Sequence, residues 1–244
     1  NKCFTQMVAY ARGKRIPTLT STNGHFVRTD ADAREVIESG LDEIIVSLDG
    51  VDQATYERYR VGGRIEKVFD CVRLLAEAKK ASDKQTPLIN LQFIVFKHNE
   101  QDLAKAEAIA HDLGADKFLI KTAQVYGDDD AAQFLPEENK FNRYEHVSED
   151  RLEVKGQPKW GCKVLWYSSM VNWSGKVAPC CFDKNGTVDL GDAFNGKTFA
   201  ETWRGQAYMD FRRTILDDRR TVPMCNNCSE GYTGMFSLIK EIRG

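Results

Sequence analysis

The feature that most constrains this chain is the alternation, through its first half, of short apolar strand-like runs with amphipathic stretches of helical period. Ile16 to Leu19 leads into Thr22-Asn23-Gly24, a turn signal, and residues 31–39 then place Ala33, Val36 and Ile37 on one face ahead of Gly40, the residue type expected just past a helix. Leu41 to Leu48 is apolar and β-branched and stops at Asp49-Gly50, as a buried strand ending in a turn would. Helical spacing returns over 53–60 and 64–80, where Ile65, Val68, Phe69, Val72 and Leu75 share a face, with Gly62-Gly63 as the break. A strand over Leu88 to Phe96, a helix over 100–113 ended by Gly114, and a strand over Lys117 to Val125 complete the pattern. Strands separated by such helices need crossover connections, so an α/β fold is expected, with a parallel sheet and its helices outside.

Residues 127–159, with Asp128-Asp129-Asp130, Pro136, Glu137-Glu138 and Pro158, read as a polar linker. The expected organisation is therefore 1–126 as the α/β domain, 127–159 as linker, and 160–244 as a cysteine-containing unit opening at Trp160. Thirty-four basic against thirty-six acidic side chains leave a net charge of −2, so no field favours nucleic acid or an anionic membrane. No run approaches the roughly 18–20 apolar residues of a membrane helix, and the opening residues Asn1-Lys2-Cys3-Phe4-Thr5 lack the charged, apolar and cleavage regions of a signal peptide. A cytoplasmic location is expected, without nucleic-acid or membrane partners.

In parallel α/β folds the chemistry sits outside the carboxyl ends of the strands. The residues there are Thr22, Asn23 and Gly24; Ser47, Asp49 and Gly50; Lys97, His98 and Asn99; and Lys121, Thr122 and Gln124. Asp49 can accept hydrogen bonds from vicinal ribose hydroxyls, with Ser47 two residues earlier on the same side of the pleat, or Asp49-Gly50 can be an ordinary turn. The four histidines, at 25, 98, 111 and 146, form no zinc-hydrolase pattern, and neither a Gly-rich phosphate loop nor a G-x-S-x-G elbow occurs.

Seven cysteines are unevenly spread: Cys3 and Cys71 stand apart, while Cys162, Cys180, Cys181, Cys225 and Cys228 fall in the last third. Cys225-Asn226-Asn227-Cys228 can present two thiolates to one metal site, and Cys162 and Cys180 complete a set of four, with Cys181 as a fifth candidate. Soft thiolates in fours select zinc or an iron–sulfur cluster, and ligand identity alone does not separate the two. A dithiol redox role would need a thioredoxin-like setting that is absent around residue 225. Cys71, on an apolar helix face, reads as a small core residue.

Ser47-Leu48-Asp49-Gly50 followed by Tyr56, Arg60 and Gly63 resembles the fourth-strand region of radical S-adenosylmethionine (SAM) enzymes, and Thr22-Asn23-Gly24 their third-strand end. The second half resembles the SPASM extension of that superfamily. Cys162, twelve residues, Gly175, four residues and Cys180 match its opening motif, and Leu190-Gly191-Asp192, Trp203, Phe211-Arg212 and Cys225-Asn226-Asn227-Cys228 follow in order. The resemblance implies a partial (β/α)6 barrel of about four βα units followed by a small iron–sulfur domain. It also implies three cofactors: an auxiliary [4Fe-4S] cluster on Cys162, Cys180, Cys225 and Cys228; SAM; and a second, SAM-cleaving [4Fe-4S] cluster. Asn23, Ser47, Asp49, Arg60 and Gln124 would contact SAM, Ser47 and Asp49 at the ribose, Arg60 at the methionine carboxylate and Gln124 near the adenine.

The activity implied is that of an oxidoreductase or maturase which makes a 5′-deoxyadenosyl radical and takes hydrogen from a peptide, a protein side chain or a small molecule, with an electron donor such as flavodoxin or ferredoxin. The alternative is a non-catalytic protein with a structural four-cysteine zinc or iron–sulfur site. The family's Cys-x3-Cys-x2-Cys loop has no counterpart here, so the SAM-cleaving cluster belongs to an N-terminal part of the barrel expected to precede Asn1, and this chain alone is expected to be inactive. Gly234 stands where a further SPASM cysteine would fall, so one auxiliary cluster is expected rather than two.

Overall fold

Four parallel strands carry the first half of the chain: β1 (Leu19–Thr22), β2 (Glu43–Ser47), β3 (Leu88–Val95) and β4 (Lys117–Thr122). The computed structural model describes residues 1–148, 151–156, 161–196, 198–230, 232 and 237–242. Helix α1 (Phe4–Gly13) precedes β1; α2 (Asp30–Ser39), α3 (Gln53–Glu57) with α4 (Ile65–Ala81), and α5 (Leu103–Asp112) form the crossovers; α6 (Asp128–Phe134) follows β4. The register pairs Thr22 with Val46, Ser47 with Gln92 and Val95 with Thr122, so the carboxyl ends of all four strands leave the sheet at one edge.

One face of the sheet presents Ile44, Val46, Leu48, Ile89, Leu91, Phe93, Val95, Phe118 and Ile120 to the helices, where they meet Val36, Ile37, Val68, Val72, Leu75, Ala106 and Ala110 in one cluster. Leu75 and Ile44 are fully buried, and each such side chain contributes about 1.5–3 kcal/mol of burial. The alternation of the strands turns Glu43, Ser47, Asn90, Gln92, Lys117 and Lys121 to the opposite face. Cys71 lies in the core, as its helix position implied, and burial pushes its thiol up to about 12.

Local sequence sets the helix ends. Thr29 caps α2 by accepting from the Asp32 N–H, and Asp32 reciprocates toward the Thr29 N–H. Gly40 closes the same helix at φ 81, a left-handed conformation that costs glycine little. The cap of α3 repeats the device with Asp52 and Thr55.

Two elements depart from the sequence reading. Helix α1, to which no element was assigned, buries Val8 and bonds Thr5 to Glu35 of α2 at 2.5 Å. The segment after the cysteines returns as β9 (Ser237–Glu241), which pairs antiparallel with β4 to give the order β1-β2-β3-β4-β9. Lys117–Glu241 at 3.0 Å and Lys240–Glu107 at 2.5 Å flank that pairing.

The chain sorts into two units, Asn1–Arg143 with Phe236–Gly244, and Tyr144–Met235. The stretch 127–159, expected to be a linker, thus carries α6 in the first unit and the antiparallel hairpin of β5 (Tyr144–Ser148) and β6 (Arg151–Val154) in the second. The expected boundary at residues 159 and 160, Pro158 and Gly234 lie outside the described residues. The second unit continues with a 3-10 turn at Lys163–Trp166, the short hairpin of β7 (Met170–Val171) and β8 (Val177–Ala178), then α7 (Phe199–Trp203), α8 (Gln206–Asp218) and α9 (Pro223–Asn226). Among the described residues no helix is long and apolar enough to cross a membrane.

Candidate metal centre and polar sheet face

In the first unit, the residues expected to contact a nucleoside lie at or just past the strand ends, but they are not equally open. Asn23 is exposed and its Oδ1 accepts from the His25 N–H at 3.2 Å, which fixes the turn after β1. Ser47 is buried at the end of β2 beside Gln92 of β3, and Gln124 is half-buried just beyond β4. Asn90 shares the face of Ser47 and Gln92. It donates to Glu43, while its own Oδ1 is buried without a hydrogen-bond partner among the described residues.

Asp49 and Arg60, expected to meet different parts of a ligand, bond to each other in this structure. Asp49 is fully buried at φ 55, its Oδ2 accepts from Arg60 Nε at 2.7 Å and from Arg60 Nη2, and its Oδ1 accepts from the Ile94 N–H at 2.7 Å. Burial pushes its carboxyl up, opposed by the Arg60 guanidinium. Asn99 secures the same corner by donating to the Asp49 and Ile94 carbonyls, both at 3.1 Å, and accepting from the Phe96 N–H at 2.7 Å. The two residues hold one another because a short loop returns the chain from β2 to α3 over the end of β3. Within that loop a Cβ on Gly50 would sit 2.4 Å from the backbone nitrogen of Tyr56.

In the second unit, the five clustered cysteines line one cavity of about 70 Å³. Cys162 opens the 3-10 turn, and Cys180 follows β8. The loop after Cys180 and Cys181 is held by buried Asp183, which accepts from the Thr187 N–H and hydroxyl, both at 2.8 Å, and from the Val188 N–H at 2.9 Å. Pro223 starts α9, which carries Cys225, and a turn from Cys225 brings Cys228 round, where its Sγ accepts from the Glu230 N–H at 3.4 Å. Cys162 and Cys228 are buried, Cys180 and Cys225 half-buried, and Cys181 exposed.

Val164, Leu165, Phe182, Phe211 and Met224 supply the rest of the wall. In that apolar setting burial raises the Cys180 thiol and pushes Cys225 up to about 11 and Cys228 up to about 12. Bound metal reverses this, because a coordinating thiol gives up its proton.

The donor set fits a thiolate-ligated group. A water needs about 10–15 Å³ of such space, so the cavity exceeds the room one ion takes. Among the described residues, no three cysteine, histidine or carboxylate side chains converge on a single point closely enough to hold one ion. The thiols surround a volume. A cavity of that size ringed by thiols has room for a polynuclear cluster.

Sequence reading missed Arg219 and Asp183, buried polar residues that shape the loops bearing the cysteines. Nothing in local sequence distinguished them from a solvated arginine or a turn aspartate.

Comparison with known proteins agrees with both units. Residues 162–229 match the SPASM family model, described as an iron–sulfur cluster-binding domain. The chain is similar in structure to Streptococcus suis SuiB bound to S-adenosylmethionine, at 14% identity and a TM-score of 0.58, covering 92% of this chain and 56% of that one. It is similar to anSMEcpe with bound AdoMet and Cp18Cys peptide, at 12% identity and 0.55, covering 95% and 71%. It is also similar to BtrN in complex with AdoMet and 2-DOIA, at 16% and 0.50, covering 94% and 67%. The expected fold class, a partial radical SAM-type barrel with a SPASM domain, is the fold observed, except that β9 returns to the sheet after the cysteine unit.

Proposed function

We propose that this protein, which joins a radical SAM-type sheet to a SPASM domain, belongs in its complete form to a radical SAM enzyme that takes hydrogen from a peptide or protein side chain. The observation that carries the reading is the meeting of Cys162, Cys180, Cys225 and Cys228 around one cavity within the segment that matches the cluster-binding family model. Those four residues would hold an auxiliary [4Fe-4S] cluster, with the exposed Cys181 left over.

The sheet face that carries Ser47, Asn90 and Gln92, opposite the face packed on α2, α4 and α5, would take SAM. Ser47 and Gln92 lie side by side there, and the unpartnered Oδ1 of Asn90 offers a buried acceptor that a bound polar group would satisfy. Asn23 and Gln124, at the same edge, would border the nucleoside. Asp49 and Arg60 act by fixing the loop that follows Ser47, which aims this edge. SAM and its reducing cluster, when bound, supply a 5′-deoxyadenosyl radical that abstracts hydrogen. Because no Cys-x3-Cys-x2-Cys occurs in these 244 residues, that second cluster would need ligands from another stretch of polypeptide. The protein's own task is to orient the reactive carbon and keep other hydrogen donors away.

A peptide substrate is favoured by the likeness to anSMEcpe with its bound peptide; the lower-scoring likeness to BtrN with 2-DOIA favours a small-molecule substrate as the second reading. The test is anaerobic reconstitution with iron and sulfide. About one four-iron cluster per chain is expected, with 5′-deoxyadenosine formed only when a segment carrying the missing cysteine loop is present. Stoichiometric zinc in protein purified without oxygen, or 5′-deoxyadenosine from the 244 residues alone, would overturn it.

A further inference from the structure

Among the described residues of the cysteine unit, Arg212 and Arg219 are both buried, and they keep different company. Arg212 is spent on structure: it donates to the Leu165 and Trp203 carbonyls, both at 2.9 Å, and its guanidinium lies 4.2 Å from the Trp203 ring and 4.4 Å from the Tyr208 ring. Arg219 instead lines the cysteine cavity. It donates to the carbonyls of Glu230 at 2.6 Å and of Cys225 and Cys228, both at 3.2 Å. Its guanidinium also lies 5.6 Å from the Tyr232 ring, and neither the carbonyls nor the ring carries a negative charge.

Among the described residues no carboxylate offsets Arg219. Asp218, its neighbour in sequence, is paired with Arg220 at 2.9 Å, and the Glu230 side chain, also at the cavity, is exposed and makes no ion pair with Arg219. Arg212 is as buried and is likewise without a carboxylate among the described residues; what sets Arg219 apart is that it lines the cavity, where an anion can meet the buried charge. The groups at the same cavity that can provide it are the thiolates, and Arg219 already holds the backbone carbonyls of two of the cysteines, Cys225 and Cys228.

We propose that Arg219 is the built-in counter-charge of the auxiliary cluster and holds its reduction potential up. The inference rests on the iron–sulfur reading of the cavity. A four-iron cluster on four thiolates is a dianion in its oxidised form and a trianion after one electron is added by an external donor such as dithionite. A fixed cation in a low-dielectric wall stabilises the trianion more than the dianion, so it favours reduction. No bond to Arg219 forms or breaks. It is a positioning residue: its three carbonyl bonds also tie the Cys225–Cys228 turn to the start of the following loop.

The test is potentiometry of the anaerobically reconstituted protein, with Arg219→Lys and Arg219→Gln beside the unaltered chain. All three should carry the same iron and sulfide. The potential should stay near the original in Arg219→Lys and fall in Arg219→Gln, such that at the original midpoint its reduced-to-oxidised ratio is at least about tenfold lower, which is 59 mV for one electron. A loaded Arg219→Gln protein with an unchanged midpoint overturns the proposal.

Should Arg219→Gln take up no cluster, the unaltered protein labelled with 15N-arginine decides. Pulsed electron paramagnetic resonance of its reduced cluster must then show an arginine nitrogen coupling, and its absence overturns the proposal. Failure of the unaltered protein to bind iron and sulfide would instead sink the iron–sulfur reading, and this inference with it.

Discussion

Arg60 and Asp49 are joined across eleven residues, Nε to Oδ2 at 2.7 Å, while the second oxygen of Asp49 takes the Ile94 N–H at the same distance. One carboxylate thereby ties the loop after β2 to α3's following turn and to the end of β3. Asp49 is fully buried, whereas Arg60 retains 27% side-chain exposure. Removing Arg60 therefore leaves a buried carboxylate uncompensated. Arg60→Met should lower the unfolding free energy by about 3–5 kcal/mol in urea titration. A loss below about 1 kcal/mol would place the pair with ordinary surface salt bridges.

Gly50 gives a steric test of the same loop. The atoms that a Cβ would strike are the backbone nitrogen and Cα of Tyr56, at 2.4 and 2.5 Å, and Tyr56 is buried. Backbone cannot swing aside as a side-chain tip can. Gly50→Ala should cost about 3 kcal/mol or more by thermal unfolding, at the upper end for overpacking. A melting temperature equal to that of the unaltered protein would show that α3 shifts freely.

The cysteines should divide sharply. Cys180→Ser is expected to abolish a stable cluster after anaerobic reconstitution, because it removes one of four ligands. Cys181→Ser should leave iron and sulfide content unchanged, since Cys181 is exposed at the cavity rim. Iron and sulfide assays with absorbance near the cluster band read both, and the reverse pattern would exchange their roles.

The cap of α2 carries a pH dependence. Hydrogen bonds from the Arg28 N–H and from Thr29 hold the Asp32 carboxyl below its ordinary value. A depressed carboxyl stabilises the fold above its unfolded value of about 3.9, and that contribution is lost as the pH falls through the lower folded value. Asp32→Asn should therefore lower the urea midpoint at neutral pH, and the two proteins should converge as the pH falls through the lowered folded value. A gap that persists unchanged there would assign the effect to something other than ionisation.

How much of this was legible before the structure depended on how local each signal was. The four parallel strands followed from apolar runs bounded by Gly40, Asp49-Gly50 and Gly114, and the gathering of five cysteines at one cavity was foreshadowed by their clustering in the last third of the chain. Strand β9 was not read, because Ser237 to Glu241 is short and its partner β4 lies more than a hundred residues earlier. Helix α1 was missed because its stability comes from packing Val8 rather than from strong capping. The position of Asp49 just past its strand is visible in sequence, whereas its bond to Arg60 is set by the path of a loop and is not. Arg219 was invisible for the same reason.

The return of the chain into β9 has a consequence for proteolysis. The second unit is an insertion, entered at Tyr144 and left before Ser237, with both flanks belonging to the same sheet. A single nick within it cannot release a fragment by itself, because β9 remains hydrogen-bonded to β4 and anchored by Lys117–Glu241. Nicked protein should migrate as one species under native conditions and separate into two only in denaturant.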